Sequence, residues 1–355
     1  MKVLGILIKA TLAIVALLTV AVLAVWLSLR KADIPYAELE KKYATPASHY
    51  VELPSGVRVH FRDEGKPDAP VIVLVHGFSA SSHTWEPWVK QLGGDYRLIS
   101  LDLPGHGLTR APANWKPSMQ AYAAVLEEFA AAEQLSKFTL VGQSMGGNVA
   151  WEYALARPER LDALVLVSAS GWPVTRREGG DSDKVMKLMA HPWGRAALRD
   201  LDASRLMREG LEKAYQNNDL ITEATVDRYV ELNRAPGHRD IVIDLALGFD
   251  KRDFATPERL AAIKTPTLIL HGQNDRLVPV DDVQKFAQAI PGSKLVIYAN
   301  TGHMLNEERA AESSADLKAF LAALKPAAPP KKRVVLKAAP PERVKELKES
   351  PLFFQ

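Results

Sequence analysis

A serine that attacks a carbonyl needs an accessible hydroxyl, a base to take its proton and an acid to orient the base. In FTLVGQSMGGNVAWEYALARP (138–158), Ser144 stands in the frame Gly142-Gln143-Ser144-Met145-Gly146, where an apolar run becomes a helical pattern. A strand-to-helix connection needs a turn residue and a cap. It does not need Gly142, Gly146 and Gly147 gathered around one hydroxyl. A turn tight enough to lift Ser144 clear of a sheet strains its backbone, and side chains two positions to either side would collide, hence the glycines. An incidental serine in a Gly-rich turn accounts for the five residues alone, but not for the strand before them and the helix after.

In this strand–turn–helix setting the partners follow in the order serine, carboxylate, histidine. Of the nine histidines, only His303, in ANTGHM, lies beyond the late apolar runs; Asp275 lies in HGQNDRLVP, just past TPTLIL. Singly, Asp275 reads as an Asx-turn residue and His303 as a surface histidine. Together, in order and each at the C-terminal end of a strand, they complete a triad of Ser144, Asp275 and His303. The alternative acid would follow LDALVLVSA, where nothing acidic occurs before Glu178. Acyl transfer also develops a negative oxygen that needs fixed donors. The Met145 N–H, with a helix N-terminus behind it, is one candidate. The Phe78 N–H in HGFSASSHTW is the other, Gly77 letting the backbone come close. His76 reads as a brace for that loop, and Asp102 and His106 in LDLPGHGLT (101–109) as formers of a turn. No phosphate loop or metal-ligand cluster occurs, so neither cofactor nor metal is expected.

These residues require a sheet with its strand ends aligned. YVELPSGVRVHFRDEG alternates around Pro54-Ser55-Gly56 and predicts a hairpin. VIVLVHG, YRLISLDL, FTLVGQ, LDALVLVSAS, TPTLILHG and KLVIYANTGH are near-continuous apolar runs, as strands buried on both faces should be. Between them SMQAYAAVLEEFAAAEQL, with Ser118 as N-cap, VDDVQKFAQAI and RAAESSADLKAFLAAL have helical spacing. Alternating strands and helices predict a mostly parallel sheet covered on both faces. From 171 to 257 the pattern is helical throughout and reads as a cap inserted into a core of 48–170 and 258–324.

The motifs LVHGF, LDLPGHGLT, GQSMGG, HGQNDRLVP and TGHM resemble those of the α/β-hydrolase superfamily, in the single-cap group of bacterial lipases, esterases and C–C hydrolases. The resemblance covers about 48–324. It implies an eight-stranded, mostly parallel sheet with helices on both faces and a helical cap, Ser144 as nucleophile, Asp275 as acid, His303 as base, and Phe78 and Met145 as the oxyanion hole. It implies a carboxylic-ester hydrolase acting through an acyl-enzyme on a small-molecule ester with an apolar part. Hydrolysis of C–C bonds in vinylogous diketones is the alternative, and perhydrolysis a third. Those diketones are acidic and would need an Arg or polar pair facing the serine; the cap carries Arg195, Arg199, Arg205 and Arg208. A serine at this turn argues against the dehalogenases and epoxide hydrolases of the superfamily, which use aspartate there. A binding protein on the same fold would typically have lost a triad member. Trp172, Met189, Trp193, Leu206, Met207 and Phe249 are expected to form cap core or line an acyl pocket.

The 355 residues are 47% hydrophobic and 25% charged, with no cysteine, which excludes disulfides and thiolate chemistry. Net charge is +3, too small for a nucleic-acid partner. It is also uneven, because 325–355, a Pro-, Ala- and Lys-rich tail, holds eight Lys or Arg against three Glu. Residues 10–29 carry no charge over 20 positions, the length of a membrane-spanning helix. Residues 1–30 are therefore expected to anchor the chain in a membrane, a bacterial inner membrane given the group it resembles, with 31–47 as a charged linker. The alternative is a secretory signal cleaved behind Val22-Leu23-Ala24, leaving a periplasmic or secreted protein.

Overall fold

The computed structural model describes residues 2–173, 181–249 and 252–324. One sheet of eight strands organises them: β1 (Ser48–Glu52), β2 (Arg58–Gly65), β3 (Val71–Val75), β4 (Arg97–Leu101), β5 (Phe138–Gln143), β6 (Leu161–Val167), β7 (Thr267–Gly272) and β8 (Lys294–Tyr298). Their spatial order is β1-β2-β4-β3-β5-β6-β7-β8. β2 pairs antiparallel with both β1 and β4, and every other pair is parallel. An eight-stranded, mostly parallel sheet is what the resemblance implied.

The apolar runs explain the layering. Successive residues of a strand face opposite sides, so Val73 and Val75 join one core cluster while Ile72 and Leu74 join the other. Leu164 and Leu166 divide from Val165 and Val167 in the same way. On the first face lie α4 (Met119–Ala132) and α5 (Met145–Ala156), with α11 (Pro257–Ala261) and α12 (Val280–Ala289). On the second lie α3 (Glu86–Leu92), α13 (Leu305–Glu308) and α14 (Ala310–Ala323). Ser118 caps α4 as its sequence position predicts, accepting from the Ala121 N–H at 3.0 Å.

Between β6 and β7 lie α6 (Asp181–Met189), α7 (Pro192–Leu198), α8 (Ser204–Ala214), α9 (Glu223–Asn233) and α10 (His238–Leu247). Leu211, Ala214, Tyr215, Val226 and Tyr229 of this cap share a core with Ala80 and Met304. That cluster seats the cap over the C-terminal ends of the strands.

Two N-terminal segments differ in standing. α1 (Lys2–Leu29) lies free of the domain for most of its length, its apolar side chains exposed. Residues 31–47, read from the sequence as a linker, instead contain a packed helix, α2 (Tyr36–Tyr43). Its Leu39 and Tyr43 are buried with Leu108 of the core and Leu232 and Ala235 of the cap. Two apolar residues one turn apart hold it, too few to stand out beside Glu38, Glu40, Lys41 and Lys42. The tail at 325–355 and Glu178 lie outside the described residues.

Candidate active site

Ser144 sits between β5 and α5 with φ 54° and ψ −116°, a positive φ that costs a non-glycine residue energy. The surroundings impose it. A Cβ at Gly142 would strike the Gly146 carbonyl, and one at Gly146 the Val75 carbonyl. Three backbone bonds then fix the turn: Ser144 N–H donates to Val167 O (3.0 Å), while Asn148 N–H and Ser170 N–H donate to Ser144 O (both 3.1 Å).

Asp275 and His303 come together from the ends of β7 and β8. His303 Nδ1 lies 2.7 Å from Asp275 Oδ2. The other oxygen, Oδ1, accepts from the N–H groups of Leu277 (2.8 Å) and Val278 (2.9 Å), so the carboxylate is aimed by its own turn. Burial pushes the Asp275 carboxyl up. The His303 ring and its hydrogen bond, then His271 and the Val278 N–H, outweigh it and hold the pKa below the ordinary value. An ionised Asp275 can only accept, so Nδ1 carries the ring proton and Nε2 is left as the basic nitrogen. His271 Nε2 lies 3.8 Å from the same carboxylate but also 3.2 Å from Val278 O. Burial lowers its pKa to about 4, which makes it a neutral neighbour and not a second base.

The loop after β3 approaches the serine closely: a Cβ at Gly77 would lie 3.1 Å from Ser144 Cβ. This sets Phe78 beside the nucleophile. Among the described residues, neither the Phe78 N–H nor the Met145 N–H finds a protein acceptor. His76 braces the loop as its sequence position suggests, through Nδ1 to Gly77 O (2.7 Å) and Nε2, which accepts from Leu103 N–H (3.0 Å). Asp102 is a turn former, accepting from the N–H groups of Ser82 (2.6 Å) and Leu108 (2.9 Å). It also binds His60 Nδ1 at 2.6 Å, and His60 Nε2 meets Ser48 Oγ at 2.8 Å. This repeats the connectivity of a triad, but Ser48 closes a turn and opens strand β1, with no strand leading into it and no helix N-terminus behind it.

Residues the sequence did not single out join the two halves. Gln143 Nε2 donates to His303 O (3.2 Å), tying the histidine loop to the residue before the serine. His303 N–H donates to Ala214 O (2.7 Å) at the end of α8. The Glu308 carboxylate accepts from Gly302 N–H (3.1 Å) and, across in the cap, from Gln216 N–H (3.2 Å). No hydrogen bond links Ser144 Oγ to the His303 ring among the described residues; in free enzymes this contact is commonly long and tightens with substrate. No group of three or more His, Asp or Glu side chains converges as a metal would require, among the described residues. Two cavities, of about 390 Å³ beside His83 and Arg228 and about 40 Å³ beside Met207 and Arg239, lie away from the triad residues.

Four of the cap's arginines, those singled out in the sequence, are each paired with a carboxylate. Arg195 pairs with Asp244, Arg199 with Asp33, Asp200 and Asp240, Arg205 with Glu209, and Arg208 with Glu223. Trp193 and Leu206, expected in cap core or pocket, are instead 66% and 71% exposed. Trp172 is buried against Phe286, and Met207 packs on the cap core.

A strained serine at a strand–helix turn and a histidine–carboxylate pair at the ends of the last two strands define a hydrolase-type site. The family model for the alpha/beta hydrolase fold matches residues 70–310, and the chain belongs to that family. It is similar to a 2-hydroxy-6-oxononadienedioate/2-hydroxy-6-oxononatrienedioate hydrolase of Escherichia coli (strain K12 / DH10B), 28% identical over 261 residues, covering 72% of this chain and 87% of that one. Among solved structures it resembles a bacterial membrane phospholipase A, with TM-score 0.66, 24% identity, and 90% and 99% of the two chains covered. It also resembles a thermophilic esterase from Thermogutta terrifontis, with TM-score 0.65, 23% identity, and 78% and 98% covered. Solved structures that share its fold thus include an esterase, a phospholipase and a meta-cleavage product hydrolase.

Proposed function

We propose that the protein is a membrane-anchored serine hydrolase that cleaves a carboxylic ester through an acyl-enzyme on Ser144. The observation that carries this reading is the His303–Asp275 pair, with the unprotonated ring nitrogen left for the serine. His303 Nε2 takes the Ser144 proton as Oγ adds to the ester carbonyl. The negative oxygen so formed is received by the N–H groups of Phe78 and Met145. Collapse expels the alcohol, which takes its proton from His303. Water then repeats the sequence on the acyl-enzyme and releases the acid.

The relative from E. coli favours a second reading, hydrolysis of a C–C bond in an acidic diketone. That substrate would need a cation facing the serine. Arg195, Arg199, Arg205 and Arg208 are each already paired with a carboxylate, which supports the ester reading as far as these four are concerned. The anchor reading is supported by Leu4–Leu29, an apolar helix none of which is buried in the fold.

Fluorophosphonate should label Ser144 alone, and Ser144→Ala should lose ester turnover by about 10⁴-fold or more with the fold intact. A chain-length series of nitrophenyl esters beside one ring-fission diketone separates the two substrate classes. Labelled or near-normally active Ser144→Ala protein would sink the assignment. Flotation with liposomes in high salt tests the anchor; a mature N-terminus at Val25 with soluble activity would replace it with a cleaved signal.

A further inference from the structure

α1 does not end in solvent; its last turn is fastened to the cap. Trp26 Nε1 donates to Ala197 O on α7 (2.6 Å), and Asp202 N–H donates to Leu29 O (2.8 Å). Arg30 pairs with Asp200 at 2.6 Å and lies 4.8 Å over the Trp26 ring. The next four residues continue the attachment. Lys31 N–H donates to Asp200 O (2.7 Å), Ala32 O accepts from Arg234 (2.8 Å), Asp33 pairs with Arg199 and Arg239, and Ile34 N–H donates to Arg234 O (2.8 Å). Five consecutive residues, 30–34, thus bind the cap.

Those same cap elements carry, among the described residues, the two most exposed large apolar side chains of the folded domain, Trp193 and Leu206. Trp193 precedes Ala197 by four residues on α7, one helical turn or about 6 Å. Leu206 follows Asp202 by four residues, in the first turn of α8. Beside Leu206 stands Arg205, its side chain 90% exposed, and beside α7 packs α6 with Lys184, Val185 and Lys187 exposed. The uncharged run of α1, Ala10–Leu29, spans roughly 30 Å, the thickness of the hydrocarbon core, and is bounded by Lys9 and Arg30, so its last turn meets the interfacial layer. Trp26, an aromatic residue with a polar N–H, suits that layer. A cap face held within one turn of Trp26 and Leu29 lies at the same depth. Its mixture of Trp, Leu, Lys and Arg is the composition that lodges at a lipid interface.

Resting on the anchor reading above, we propose that the cap face carrying Trp193 and Leu206 sits in the interfacial layer of the bilayer that α1 spans, and that the ester comes from that bilayer as a long-chain acyl ester of a membrane lipid. The cap packs on the strand ends that carry the His303 loop and is tied to the end of α1, so a lipid acyl chain is offered to the site from the interfacial layer.

The absence of cysteine makes the test direct. Single spin labels at Trp193→Cys and Leu206→Cys, in the full chain with one protein per phosphatidylcholine–phosphatidylglycerol nanodisc, are compared with Ser136→Cys. Ser136 is exposed just before β5, at the N-terminal ends of the parallel strands and so opposite the cap. Labels at 193 and 206 are expected to relax more with oxygen than with a water-soluble nickel chelate, and the label at 136 the reverse. Equal nickel accessibility at all three positions overturns the proposal, as does protection that appears only when two copies share a disc. Trp193→Glu with Leu206→Glu should lower turnover of phospholipid vesicles about tenfold or more while leaving a short water-soluble nitrophenyl ester unaffected; an equal loss on both, or on neither, also overturns it. Failure of the wild-type chain to float with liposomes removes the anchor reading itself. Flotation with wet labels removes only this inference.

Discussion

At Asp275, burial and charge pull in opposite directions, and geometry decides between them. Two turn N–H groups hold Oδ1, leaving Oδ2 for His303. In Asp275→Asn the amide keeps the volume but can donate toward the ring, which favours the tautomer with the proton on Nε2, where the serine needs a base. That variant should lose about 10³–10⁴ in kcat with little change in KM, because Asp275 orients a base and does not touch substrate. The measurement is steady-state kinetics on one nitrophenyl ester. Full activity in Asp275→Asn would place the acid elsewhere. Gln143 and Glu308 work one step further out: each ties the His303 loop to a second element, Gln143 to the serine turn and Glu308 to the cap.

The elements show why some of this was legible in the sequence and some was not. The strands could be read because a parallel strand buried on both faces is a nearly unbroken apolar run, and all eight lie where such runs or the hairpin pattern occur. Ser144, Asp275 and His303 could be placed because each follows such a run. Gln143 could not, because its role depends on the His303 carbonyl, and a backbone carbonyl leaves no trace in residue types. The cap arginines could be counted but not aimed, since their partners lie on other helices. α10 fell within the stretch read as helical but had no segment of its own there, α11 was not picked out, and α2 was hidden by its charges. The last gives a test. Leu39 is 1% exposed, and Leu39→Ala should destabilise the domain by about 2–4 kcal/mol, against less than 1 kcal/mol at a residue of a solvated linker. Denaturant unfolding of the protein lacking residues 1–29 measures it, and an unchanged midpoint would return α2 to linker status.

Across the whole molecule, the buried histidines make stability depend on pH. His76, His83, His106, His238 and His271 are all buried, and burial is the leading cause holding each pKa below the ordinary value, to about 4 for His83 and His271. They cluster where the cap meets the strand ends: in the loops after β3 and β4, at the end of β7 and on α10. The unfolded chain binds protons on these rings near pH 6.5, while the folded chain refuses them until about pH 4 for the two whose value is fixed. Their contribution is therefore complete above about pH 6.5 and is lost as pH falls toward 4. Glu152 and Glu307, raised mainly by burial, act in the opposite sense, gaining as pH falls. Asp102 and Asp275 are held below the ordinary value, so their contribution persists above about pH 4 and does not offset the histidines at pH 5. Between pH 7 and pH 5 each of His83 and His271 accounts for about 2 kcal/mol, and the two carboxyls return part of it. The expected net loss is roughly 2–4 kcal/mol, read from denaturant unfolding of the protein lacking residues 1–29 at the two pH values. Constant or rising stability over that interval would mean that these rings take up protons in the folded state, and that the cap is looser over the site than its packing shows.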